Sequence, residues 1–394
     1  MEATVSGVRP ANKTRLLWLI DSLAMGGAER LVPVFARRLD ASRFELHVAC
    51  LKVIGGNPLA AELAAAGVPV TVLNARNLRD ASAFARLLRL VREREIDVIH
   101  THLTYSDVWG RLAARLLRRA VVSTLHVESY LTAGDVAHGR GHAVERLASF
   151  VRRHFGQTVI AVSEALRRQQ IARGFPPARI VTMHNGIDLS KFELPHDSSR
   201  ASRRAEFGIP HDAPLSITVA VLREGKGHEL LIAASKRVLE RVPEAHFLFV
   251  GGGALESALR RRAEESGVSG RVHFTGMRGD VAELLAASDL FVLPSLDFDA
   301  LPTAIIEAMA CGLAVIATKA GGAAEIVRHG ETGLLLESPD ASRLAEAVIA
   351  LLSDRQLARE MGERGRARAE SEFSAQAWVE KLQDLYVSLC RRAR

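Results

Sequence analysis

The stretch LFVLPSLDFDALPTAIIEAMACGLAVIATKAGGAAEIVRHGETGLL, residues 290–335, decides the fold. It opens with an apolar run that stops at Pro294 and crosses a loop carrying Asp297 and Asp299. At Pro302 it resumes with a helical pattern. Proline suits the first turn of a helix, where its missing N–H costs nothing. Cys311-Gly312 offers a C-cap, and residues 314–318 read as another short apolar strand. Short apolar runs joined through helices are the mark of βαβ units in a parallel sheet.

The same alternation extends in both directions. Towards the N-terminus, strands are expected at residues 15–20, 44–51, 69–73, 97–101, 120–125, 158–162 and 179–183, with helices at 28–39, 82–95 and 107–117 between them. The pattern weakens over 189–214, where Pro195, Pro210 and Pro214 flank a polar cluster, with some helix expected near 202–207. It restarts with strands at 215–221, 246–250, 272–274, 290–294, 314–318 and 333–336, and helices at 227–241, 253–266, 281–287 and 302–311. Residues 341–352, 354–371 and 374–391 read as helix throughout. The expectation is therefore α/β, with two doubly wound Rossmann-like domains facing across a cleft and a helical C-terminus. The boundaries drawn are a tail at 1–13, an N-terminal domain at 14–190, a linker at 191–214, a C-terminal domain at 215–372 and a final helix at 373–394. Ligands of such sheets sit outside the carboxyl ends of the strands.

Composition narrows the function. Apolar residues at 48% and charged residues at 25% fit a globular chain and exclude a disordered one. No apolar run nears the roughly 18 residues needed to span a bilayer, and residues 1–13 carry no apolar signal-peptide core. Cys50, Cys311 and Cys390 are too far apart for a disulfide framework or metal-ligand spacing, so a reducing, cytoplasmic setting and no metal are expected. The net charge of +7 fits a solvated basic surface, or attraction to anionic lipid or a phosphorylated substrate. Nucleic acid is not expected as a partner, because aromatics are 5% and no nucleic-acid-binding motif occurs.

Several strand ends carry chemistry. Glu307 lies one turn into the helix that follows Asp299, and a carboxylate there can accept hydrogen bonds from sugar hydroxyls. In VAVLREGKGHELLIAA, residues 219–234, a loop with Arg223, Lys226 and Gly227 opens a helix. A lysine beside a helix N-terminus can neutralise a diphosphate. Gly251-Gly252-Gly253 follows another strand without the G-x-G-x-x-G spacing of a dehydrogenase, and Gly276-Met277-Arg278 follows the next. In the first half, Met25-Gly26-Gly27-Ala28-Glu29-Arg30 opens a helix after the first strand. His100, His102 and His126 stand at strand ends and are expected to point into the cleft. Zinc ligation by the three is discounted, since no cysteine or carboxylate completes a set at recognisable spacing.

These strings resemble the family 4 retaining glycosyltransferases of the GT-B fold, glycosyltransferase group 1, over roughly residues 16–352. The family's donor signature, E-G-x-P-x-x-x-x-E-A-M-A-x-G-x-P-V, is matched with Asp299 in place of the first glutamate and Glu307 as the second. The resemblance implies that Glu307 binds the nucleotide ribose, and that Ala300, Leu301 and Thr303 meet the donor sugar and diphosphate through their backbone. It implies that Lys226 binds the diphosphate. The family's arginine five residues earlier is Val221 here, and Arg223 is expected to substitute for it. Gly26, Gly27, Gly252, Met277 and Arg278 complete the implied donor site. His126 matches the family's cleft histidine, and His102 is expected at the acceptor. Catalytic roles thus fall to His126, Lys226 and Asp299. The landmarks at 161–168, with Ser163 as an N-cap, and at 184–188 read as structural, and the loop 129–141 as the acceptor-selecting segment.

The implied reaction moves a sugar from a nucleoside-diphosphate sugar, of the UDP or GDP type, to a saccharide or lipid-linked saccharide acceptor. It proceeds with retention, without metal or cofactor, and with peripheral contact to an anionic membrane. A sugar-nucleotide 2-epimerase and a non-catalytic glycan-assembly subunit are the rival readings.

Overall fold

A computed structural model describes residues 13–24, 27–54, 56–127, 140–156, 158–192, 197–338 and 340–393. The chain divides into two compact units. One comprises Met1–Val162, Arg167–Met183 and Trp378–Arg394, and the other Ser163–Leu166 and His184–Ala377.

The first unit carries β1 (Thr14–Ile20), β2 (Phe44–Cys50), β3 (Val70–Val72), β4 (Val98–His102), β5 (Ala120–Leu125), β6 (Thr158–Ala161) and β7 (Ile180–Thr182). Its helices are α1 (Leu31–Arg38), α2 (Pro58–Ala65), α3 (Ala81–Glu93), α4 (Thr104–Leu117), α5 (Arg140–His154) and α6 (Glu164–Ala172), the last of which begins in the second unit. All strand pairs are parallel, in the order β3-β2-β1-β4-β5-β6-β7.

The period of two along β1 builds both faces of this sheet. Leu16, Trp18 and Ile20 enter one core with Phe35 of α1, while Leu17 and Leu19 enter the other with Trp109 of α4. The final helix closes the first core. Trp378, Val379, Leu382, Tyr386 and Leu389 pack there, and the Trp18 indole donates to the Tyr386 hydroxyl at 3.0 Å.

On the opposite face a buried charge network ties α4 to its neighbours. The Asp107 carboxylate accepts from Arg111 Nε at 2.7 Å and Arg152 Nε at 2.8 Å. Arg111 also donates to the Phe155 carbonyl at 2.7 Å. The two guanidinium groups and the hydrogen bonds outweigh the cost of burial and hold the Asp107 carboxyl down at about 2.

The second unit opens with α7 (Asp197–Ala205) and holds β8 (Leu215–Val219), α8 (His228–Arg241), β9 (His246–Val250), α9 (Glu256–Glu265), β10 (Val272–Phe274), α10 (Val281–Ala286) and β11 (Leu290–Leu293). It continues with α11 (Thr303–Ala310), β12 (Ala314–Thr318), α12 (Ala323–Ile326), β13 (Gly333–Leu336), α13 (Ala341–Ser353) and α14 (Arg355–Glu372), and α15 (Ala375–Ala393) then returns to the first sheet. The strands are again all parallel, in the order β10-β9-β8-β11-β12-β13.

Helix α7 lies inside the stretch expected as a linker. It is anchored by Arg204, only 1% exposed. Its guanidinium donates to the carbonyls of Ala287 (2.8 Å), His211 (2.7 Å) and Ala213 (2.6 Å) and to the Asp289 carboxylate (2.8 Å). The guanidinium's rigid fork of donors ties α7 to two stretches of chain at once, 211–213 and 287–289, so this segment packs as part of the second unit.

Burial pushes several histidines down. His100 falls to about 3, and His246, which bonds to the His273 ring at 2.8 Å, falls to about 4. In the unfolded chain both titrate at about 6.5, so between these values the unfolded state binds more protons and stability falls as the pH is lowered. The melting temperature is therefore expected to drop as pH goes from 7.5 to 5, before most carboxylates titrate. A melting temperature that stays flat over that window would contradict the neutral, buried state of these rings.

Candidate donor and acceptor faces

Both sheets have the 3-2-1-4 core order, so each has a topological switch point between its first and fourth strands, where ligands of such sheets bind. In the second unit this point lies between β8 and β11. Here the loops after four strands are laced together. The Leu222 amide donates to the Gly252 carbonyl at 3.0 Å, and the Gly251 amide to the Gly276 carbonyl at 3.0 Å. Across the switch point itself, the Leu296 and Asp297 amides donate to the Gly225 carbonyl at 2.8 and 3.2 Å.

Two glycines permit this approach. Gly227, at φ +75°, has the place of its absent Cβ only 1.9 Å from the Pro294 carbonyl oxygen. Gly321, at φ +64°, has its own 2.1 Å from that of Asp299. No side chain fits at either place.

Lys226 and Asp299 meet across this gap. The Lys226 ammonium donates to the Asp299 carboxylate, and both side chains are mostly shielded, at 17% and 19% exposure. The first turn of α8 begins two residues beyond Lys226, and α11 begins at Thr303. An ammonium and two helix N-termini thus gather at one strand edge, an arrangement suited to a phosphate group. Ala300 and Leu301 are buried, Thr303 is half-buried, and Glu307 is half-buried on α11 beside Cys311, whose thiol is pushed up to about 12 by burial and by the Glu307 charge.

The remaining expected donor residues are placed unevenly. Arg223 is exposed and its guanidinium donates to the Glu224 carbonyl at 2.8 Å. Gly252 is half-buried, and Met277 stands 87% exposed above it. The Arg278 guanidinium is engaged by Asp280 (2.7 and 2.8 Å) and Glu206 (2.5 and 3.2 Å), so it braces α7 against the loop after β10. Gly27 is exposed in open space, whereas Gly26 and most of the loop 129–141 fall outside the described residues.

In the first unit, the expectation for the histidines needs correction. His100 faces the core, with its ring nitrogens 2.6 Å from the Tyr386 hydroxyl and 2.8 Å from the Thr124 hydroxyl. His102, expected to touch an acceptor, is 1% exposed and lies against the Trp18 ring at 4.4 Å. The side chain is sealed because alternate residues of β4 share the face on which Trp18 packs.

The His102 imidazole instead serves His126. His102 Nδ1 is 3.0 Å from His126 Nε2, and both rings are kept neutral by burial, His126 at about 4. His102 Nε2 is enclosed without a hydrogen-bond partner. A buried orphan N–H is rarer than a buried orphan acceptor. The proton therefore belongs on His102 Nδ1, which donates to His126 Nε2, and His126 carries its own proton on Nδ1.

Three residues that the sequence reading did not single out hold these faces in place. Asp21, after β1, accepts from the Ser106 amide at 2.7 Å at the start of α4. Leu103, just before that helix, adopts φ +72°, a costly conformation for a branched residue. Glu325 accepts from the Glu164 and Ala165 amides at 2.7 and 2.8 Å and pairs with His184 at 2.8 Å. A carboxylate following a strand was the available signal for Asp21. Ser163 caps α6 by accepting from the Leu166 amide at 3.1 Å.

Two parallel Rossmann-like sheets with an anion-suited switch point define the class, and comparison with known proteins gives the family. The model of Glycosyl transferases group 1 matches residues 199–368, and that of Glycosyltransferase Family 4 matches residues 25–191. A GDP-mannose-dependent monoacylated alpha-(1-6)-phosphatidylinositol monomannoside mannosyltransferase of Corynebacterium glutamicum is 32% identical over 77% of this chain and 79% of its own. An N-acetyl-alpha-D-glucosaminyl L-malate synthase of Bacillus anthracis is 28% identical over 79% of this chain and 80% of its own. Among solved structures, Anabaena HepE in complex with UDP superimposes with a TM-score of 0.82 at 25% identity, covering 95% of this chain and all of HepE. The chain belongs to the family 4 glycosyltransferases of group 1, with the GT-B fold.

Gly227→Ala and Gly321→Ala are each expected to cost more than about 2 kcal/mol, combining strain and collision. Gly330→Ala, at φ +78° in open space, should cost only about 1 kcal/mol. Thermal unfolding of the three variants checks this. Equal losses would mean that close approach of the loops contributes nothing.

Proposed function

We propose that this glycosyltransferase transfers a sugar from a UDP- or GDP-sugar to a saccharide or lipid-linked saccharide acceptor, with retention at the anomeric carbon and without a metal ion. The observation that carries this reading is Lys226 with its Asp299 partner at the switch point of the second sheet, with Glu307 one turn into α11. The nucleotide class is supported by relatives on either side, one GDP-mannose-dependent and one crystallised with UDP. Another relative is a UDP-Gal:alpha-D-GlcNAc-diphosphoundecaprenol galactosyltransferase, which supports a lipid-linked acceptor.

In this mechanism the nucleotide ribose hydroxyls donate to the Glu307 carboxylate. Lys226 leaves Asp299 and takes up charge developing on the departing diphosphate, aided by the N-termini of α8 and α11. This supply of positive charge by the chain itself supports metal independence. The backbone of Ala300, Leu301 and Thr303 follows the diphosphate and sugar, and Gly26, Gly27, Gly252, Met277, Arg278 and Arg223 border the donor. His126 offers Nδ1–H to the donor sugar, held in that tautomer by His102. The bond from the anomeric carbon to the diphosphate oxygen breaks while the acceptor hydroxyl attacks the same face. Its proton passes to the leaving diphosphate. Peripheral contact with an anionic membrane at the cytoplasmic face is part of the same proposal, supported by the net charge of +7.

Two measurements test it. Thermal shifts with UDP-, GDP- and ADP-sugars should single out one nucleotide class. Glu307→Ala should weaken that donor by about 10–100-fold, the loss expected for hydrogen bonds to a charged group. A variant that binds as well as wild type would remove Glu307 from the donor site. In a transfer assay read by NMR in the presence of EDTA, the product should keep the donor's anomeric configuration, and Lys226→Ala should lower kcat by about 10²–10³. An inverted product, or activity abolished by EDTA, would refute the retaining, metal-free mechanism.

A further inference from the structure

The last three residues of β4, His100, Thr101 and His102, are polar and buried, and so are Ser123 and Thr124 on β5, which pair with Thr101 and His102. Alternate residues of a strand face opposite sides of the sheet. On one side, His100 Nε2 is 2.8 Å from the Thr124 hydroxyl, and His102 Nδ1 is 3.0 Å from His126 Nε2. On the other side, Thr101 Oγ1 stands 2.6 Å from Ser123 Oγ. Polar side chains thus bridge the same two strand ends on both faces.

The second face ends on Asp107. The Ser123 hydroxyl donates to Asp107 Oδ1, and Thr101 Oγ1 is 3.0 Å from the same oxygen. Arg111 Nε also reaches Oδ1, while Arg152 Nε takes Oδ2. A carboxylate offers about four acceptor directions, and these groups use them all. Thr101, Asp107, Arg111 and Ser123 are each at most 2% exposed. Helix α4 is seated on the strand here, since the place of a Cβ on Gly110 lies 2.2 Å from Thr101 Cγ2.

Burying a carboxylate with two guanidinium groups yields little net stability, but the hydrogen bonds are directional. What such a cluster supplies is geometry. His102 follows Thr101 directly, and His126 lies three residues beyond Ser123. A shift of about 1 Å between the strand ends would be enough to break the hydrogen bond between the two rings.

We propose that Asp107, through Thr101 and Ser123, is a positioning residue that holds His102 Nδ1 against His126 Nε2 and so fixes the tautomer of His126. The effect on turnover rests on the role of His126 in the function proposed above, whereas the effect on the tautomer does not.

The test uses the full chain with isotope-labelled histidine, read by nitrogen NMR. Thr101→Val and Ser123→Ala each remove one hydroxyl and leave the Arg111 and Arg152 pairs with Asp107 in place. Ile96→Val, in the same core but outside the network, controls for lost stability. In wild type, His126 is expected as Nδ1–H alone. Thr101→Val and Ser123→Ala should each give a mixture of Nδ1–H and Nε2–H. Their kcat for transfer should fall about 10–100-fold while affinity for UDP or GDP is unchanged. Thr101→Ser, which keeps the hydroxyl, should restore both properties, and Ile96→Val should alter neither. A mixed tautomer with kcat unchanged would uphold the positioning role and remove His126 from the chemistry. The positioning role is overturned if His126 stays Nδ1–H in both hydroxyl variants, or if the mixture appears equally in wild type or in Ile96→Val.

Discussion

The candidate donor face rests on one ion pair. Lys226 and Asp299 come from loops after neighbouring strands, β8 and β11, and their side chains close the gap where the strand order reverses. The Lys226 ammonium repels the positive helix N-termini around it. Asp299 supplies the counter-charge that lets those positive groups stand together in a mostly shielded place. In the function proposed above, a donor diphosphate would compete with this carboxylate for the ammonium. Aspartate reaches one methylene less than glutamate, which fits a residue that pairs closely with Lys226. The glycines at 227 and 321 serve this pair, since the loops that carry it could not approach with side chains in the way.

The first unit is organised by packing rather than charge. The final helix brings Tyr386 against Trp18 and His100, and the same face of β4 continues to His102 and thence to His126. A helix from the end of the chain thereby holds Trp18 and His100, the two rings against which His102 packs. The His102 and His126 imidazoles stay neutral because burial outweighs any gain from protonation. His126 is therefore a hydrogen-bond donor of fixed tautomer and not a cation at neutral pH.

Local pattern made the strands legible. All thirteen described strands fall within two residues of the apolar runs, because each is short, apolar and bounded by loop residues. What was not legible depends on partners remote in sequence. His100 looked like its neighbours at the strand ends, yet the tyrosine that holds it is 286 residues away. Helix α7 is rich in arginine and reads as solvated chain. Its burial follows from Arg204 finding acceptors up to 85 residues ahead. The residues at the candidate donor site could be named from their motif, but the Lys226–Asp299 pair, separated by 73 residues, required the fold. Asp21 and Glu325 escaped notice for the same reason, since each caps a helix that begins elsewhere in the chain.

The most direct test of the account is a crystal structure of the protein with a bound nucleoside-diphosphate sugar. The account predicts ribose hydroxyls within hydrogen-bond distance of the Glu307 carboxylate, and a diphosphate beside Lys226 with its link to Asp299 broken. A diphosphate bound elsewhere, with the Lys226–Asp299 pair intact and Glu307 away from the ribose, would contradict it.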